Sequence, residues 1–99
     1  MVGIYAGAAA DRAVELAELC AGQVRALAED GPTEAELLRA KAVLKGGIWM
    51  SDESPASRAG RIAAQTLIYG APVASEVSAG RLDAAMIEDV RAVGHALLA

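Results

Sequence analysis

TEAELLRAKAVLKGGIW, Thr33 to Trp49, is the stretch whose reading decides how the rest of the chain is organised. It opens on a capping box. The Thr33 side chain can accept a hydrogen bond from the backbone N–H of Glu36, and the Glu36 carboxylate can reach back to the N–H of Thr33. Gly31 and Pro32 stand directly before it. A glycine free to take a left-handed conformation, then a residue that cannot continue a helix, ends any helix arriving from upstream. The sequence therefore predicts a helical hairpin, with one helix over 10–30 and a second over 33–50. In the second, Leu37, Ala40, Leu44 and Ile48 form the expected buried stripe, and Glu34, Lys41, Lys45 and Asp52 are expected to face out. Gly46 and Gly47 together cost that helix about 2 kcal/mol relative to alanine. They read as a bend or a close approach, since a phosphate loop needs its glycines ahead of a helix N-terminus.

Upstream, Met1 to Gly7 (MVGIYAG) alternates, with Val2, Ile4 and Ala6 on one side and Gly3, Tyr5 and Gly7 on the other. β-branched and aromatic residues in that pattern predict one short strand over 1–7. A lone strand cannot satisfy its own backbone groups, so Val2, Ile4, Tyr5 and Ala6 are expected to form a strand-pairing interface with something outside this chain. On this reading the chain starts inside a sheet. From about Ala10 to Glu29, the residues Ala13, Leu16, Ala17, Cys20, Val24 and Leu27 recur at helical spacing. Glu15, Glu18, Arg25 and Glu29 lie on the opposite stripe, and Asp11 is placed as a cap or in the first turn.

Downstream, Ser54-Pro55 reads as an N-cap followed by proline at the first helical position. It starts a helix over 55–69 whose Ala59, Ile62, Ala63 and Thr66 are expected inward, and Arg58, Arg61 and Gln65 outward; Gly70 and Pro72 end it. Shorter helices are predicted over 74–84 and 87–98, the last burying Val90, Val93 and Leu97. With no repeat or linker in view, residues 1–99 are read as a single unit. The expected fold is mainly α with one N-terminal β-strand.

Composition narrows the function. The 99 residues are 55% hydrophobic but only 3% aromatic, so much of the apolar content is alanine, which forms helix well and buries little area. Such helices gain little from each contact and call for help from neighbouring structure. The net charge of -4 and the mixing of charges along the chain argue against a nucleic-acid partner. No apolar run reaches the roughly 18 residues of a membrane span, and the N-terminus lacks the basic leader of a signal peptide, so no membrane partner and a cytoplasmic location are expected.

No constellation carries chemistry. One His and one Cys on different helices cannot assemble a zinc site, and Asp52-Glu53 is too small a cluster for a hard cation. His95 reads as a surface side chain and Cys20 as a small core residue. Ser51, Ser54, Ser57, Ser75 and Ser78 have no histidine at a nucleophile's spacing, and Trp49 and Tyr69 read as core or interface anchors. The residues themselves therefore assign no catalytic, cofactor-binding or metal position.

In order, GIYAG, a long helix, DGPTEAELLRAKAVLKG, SPASRAGRIAAQTLIYG and RLDAAMIEDVRAV resemble the insulinase/pitrilysin zinc metallopeptidases, closest to the processing-peptidase branch. The resemblance covers nearly all of the chain and matches the C-terminal part of a domain. It implies a partial α/β half-domain of a clamshell whose other, N-terminal half holds zinc in an H-x-x-E-H site, where a glutamate activates the bound water. The C-terminal half closes over extended peptide substrates, usually contributing an arginine and a tyrosine from an R-E-x-x-G-x-x-Y segment. None of those residues falls on this sequence. The arginine–tyrosine segment would precede Met1, and Tyr5 is not its tyrosine. Two positions depart from the family pattern: Ala8-Ala9-Ala10 and Met86 stand where capping residues are usual, at about 1 kcal/mol each.

The expected function is thus a piece of the substrate-covering half of a zinc metalloendopeptidase, inactive alone, with zinc only in the parent enzyme. Its expected partners are the remainder of the peptidase, in the full enzyme the peptide substrate, and for the isolated piece further copies of itself as a homo-oligomer. The alternatives are a free helical module that forms a homo-oligomer through its exposed strand, or part of a zinc-less regulatory subunit.

Overall fold

Chain punctuation sets the helices of the computed structural model, which describes residues 2–99. They are α1 (Ala13–Asp30), α2 (Glu34–Glu53), α3 (Pro55–Tyr69), α4 (Ser75–Ala84) and α5 (Ile87–Leu98). A single 3-10 turn, Ala10–Arg12, precedes α1. Neither Ala9 nor Arg12 makes a side-chain capping bond, and Asp11 lies in this turn. Without a capping side chain, tighter 3-10 bonding serves the first free N–H groups, here Arg12 N–H to the Ala9 carbonyl at 2.9 Å.

Four caps written in the sequence are formed. Gly31 ends α1 with φ 74°, its N–H donating to the Leu27 carbonyl. Thr33 and Glu36 close both arms of the capping box, the Thr33 N–H donating to Glu36 Oε2 at 2.8 Å and the Glu36 N–H to Thr33 Oγ1 at 3.2 Å. Ser54 caps α3 ahead of Pro55, and Gly70 ends that helix in the left-handed region at φ 82°.

The N-terminal strand is not formed. Residues 2–9 carry no regular structure, and among the described residues there is neither strand nor sheet. This corrects the expected β-strand and the α/β half-domain built on it: the described chain is all-helical. A ladder needs a second segment to exchange N–H···O=C bonds, and the residues after 9 supply helices joined by short connections.

Contacts fall into two units, residues up to Pro32 together with Ile87–Ala99, and Thr33–Met86. In the first, α5 packs on α1. The helices touch where Gly94, buried, faces Ala28, which is wholly buried; a Cβ on Gly94 would stand 2.7 Å from the Ala28 Cα. Only a glycine lets the backbones come this close. Arg91 fixes the far end, its Nε donating to the Glu29 carbonyl at 3.1 Å in the last turn of α1. In the second unit, α2 packs on both α3 and α4. Little is buried in either unit, and Ala28 and Ala79 are the buried hydrophobic residues.

Candidate interaction surface

The second unit turns its polar residues inward. At the end of α2, Asp52 pairs with Arg61 of α3 and accepts from the Ser75 hydroxyl at the start of α4 at 2.5 Å. Ser75 Oγ in turn accepts from Arg61 Nη1 at 2.5 Å. Ser75 is buried, and the Asp52 and Arg61 side chains keep about a quarter of their surface in water. Two turns back along α2, Lys45 donates to Asp83 Oδ1 at 2.6 Å, and Lys41 donates to the Asp83 backbone carbonyl at 2.9 Å. Lysines there complement the unsatisfied carbonyls that close α4. Gln65 completes the set by accepting from the Val73 N–H at 2.9 Å.

This reverses part of the expected pattern. Lys41, Lys45, Asp52, Arg61 and Gln65 were all expected to face solvent, yet they are half-buried and bonded. The apolar residues of the same helices are exposed in their place. On α3, Ile62, Ala63 and Thr66 lie open, and Leu67 is 87% exposed. On α2, Leu38, Val43, Leu44 and Met50 are exposed, and Trp49 nearly half so. A helix hydrophobic on the side away from its own unit is a helix that expects cover. Of the stripe expected to be buried, Leu37 and Ile48 are half-buried and Ala40 and Leu44 are exposed.

In the first unit, Leu16, Cys20 and Val24 of the expected apolar stripe are only half-buried, Ala13, Ala17 and Leu27 are exposed, and Ala28 is the buried residue. α5 covers only the end of this ridge. Toward the start of α1, Leu16 and Cys20 with Ile4 and Ala6 line an open groove of about 550 Å³. Val2, Ile4, Tyr5 and Ala6, the residues named as a pairing interface, are all exposed, and Tyr5 completely. Ile4 and Ala6 line the groove together with Gly7 and Ala8, and Tyr5 does not. Val93 and Leu97 of α5, expected to be buried, are also about half-exposed.

Nothing in this arrangement makes a nucleophile or a metal centre. Ser75 spends its proton on a carboxylate already neutralised by a guanidinium, and His95 is exposed on the other unit. No group of three or more His, Cys, Asp or Glu side chains able to hold a metal ion occurs among the described residues. No helix is long and apolar enough to cross a membrane, among the described residues. The Arg12 guanidinium is held further toward its charged form by Glu15, which accepts from its Nε at 3.0 Å. That pair lies on the surface and marks no site.

No protein-family model matches the chain. By sequence it is similar to proteins named as uncharacterized zinc proteases. It is 31% identical over 97 residues to those of Mycobacterium bovis and Mycobacterium tuberculosis, and likewise to that of Mycobacterium leprae. Each alignment covers 98% of this chain and 22% of the relative. The chain thus spans about a fifth of the length of the curated relatives it matches.

Proposed function

We propose that this chain is a helical piece of the substrate-covering, C-terminal half of a zinc metalloendopeptidase of the insulinase/pitrilysin type, in its processing-peptidase branch. The observation that carries the reading is the alignment of 98% of the chain with 22% of proteins named zinc proteases. The exposed apolar faces of α1, α2 and α3 support it, because contacts with the rest of a longer polypeptide would cover them. On this reading zinc and its activated water belong to the other half, and this chain contributes wall and not chemistry. The exposed Val2, Ile4, Tyr5 and Ala6 then form a contact with that remainder.

Complementation tests this. A mycobacterial relative lacking the matched fifth is assayed on an unfolded peptide, with zinc, with and without the purified chain added. Restored, chelator-sensitive hydrolysis is expected, and none from the chain alone. Turnover by the chain alone, or no effect on a truncated relative that binds it, would overturn the proposal.

A second reading has one observation in its favour, the exposure of Val2, Ile4 and, completely, Tyr5. In it the chain is a free module that self-associates through Val2, Ile4, Tyr5 and Ala6. Light scattering separates the two. A monomer at high concentration removes the module, and a defined oligomer lost on Ile4→Asp favours it.

A further inference from the structure

We draw no further inference here: the strongest candidate, the outward apolar stripe of α3 from Ile62 to Leu67, is an unpartnered helix face and nothing in the structure shows what covers it beyond the reading already proposed.

Discussion

Replacing Gly94 by alanine tests the crossing of α1 and α5. Taken alone, the change should help, since alanine stabilises a helix interior by about 1 kcal/mol over glycine. At this position the new Cβ would stand 2.7 Å from the Cα and 2.8 Å from the Cβ of Ala28. Carbon atoms pack at roughly 3.5–4.0 Å, so α5 must retreat by about 1 Å. The obstacle is backbone and cannot rotate aside. A gap of that size forfeits a quarter to a half of each dispersion contact along the seam, and overpacking of this kind costs about 1–3 kcal/mol. With a rigid obstacle the upper part of that range applies, which leaves a net loss of about 1–2 kcal/mol. Gly80→Ala is the control, for it too lies in a helix but has nothing within 4 Å of its added Cβ. It should gain the helix term unopposed. Thermal unfolding followed by far-UV circular dichroism reads both. About 1 kcal/mol moves the midpoint of a domain this size by roughly 4–8 °C, so the two variants should move to opposite sides of the parent. If Gly94→Ala melts at or above the parent, the close contact does not hold α5 on α1 and the reasoning fails.

Other perturbations probe the remaining joints. Gly31→Ala places a Cβ at φ 74°, 2.9 Å from both Ile87 Cγ2 and Arg91 Cγ, and should cost about 1–3 kcal/mol, read as a lowered urea midpoint. Ser75→Ala takes the hydroxyl from Asp52 and Arg61 and should destabilise by about 1–2 kcal/mol, whereas Ser78→Ala should change the same midpoint little. Leu67→Glu alters an exposed position and should leave the midpoint within about 0.5 kcal/mol while raising solubility; a large loss would mean the stripe is covered within the chain.

Local signals were readable from the chain, and partner choice was not. Thr33 with Glu36, Ser54 with Pro55, and the glycines at 31 and 70 act on backbone within four residues, so each could be placed without knowing the fold. Which side of a helix turns inward depends on what else is present. Reading apolar residues as inward put Ile62 and Ala63 inside and Arg61 and Gln65 outside, a sound rule for a unit that buries its own apolar surface. Here long polar side chains span the gaps between α2, α3 and α4 instead, and no periodicity reports that. Lys41, Lys45 and Asp52 do share one side of α2, but that spacing is equally the spacing of a solvated polar face. Of the strand expected over 1–7, Met1 lies outside the described residues and 2–7 form no strand, because alternation describes a side-chain pattern and a ladder requires a second segment. The candidate surface residues Val2, Ile4, Tyr5 and Ala6 were identifiable as apolar and unclaimed, which they are, but not as belonging to any fold.

The polar seam of the second unit gives ordinary and precipitating salts different effects. The Lys45–Asp83 and Asp52–Arg61 pairs are both reached by water, and the Debye length shrinks from about 10 Å at 0.1 M ionic strength to about 3 Å at 1 M. Sodium chloride therefore loosens the seam. Sulfate screens it as well, yet by exclusion it also drives the bare leucines of α2 and α3 toward any apolar surface on offer. Salting-out and loss of helix docking should then set in together in ammonium sulfate, a coupling that a protein with an oily interior would not show.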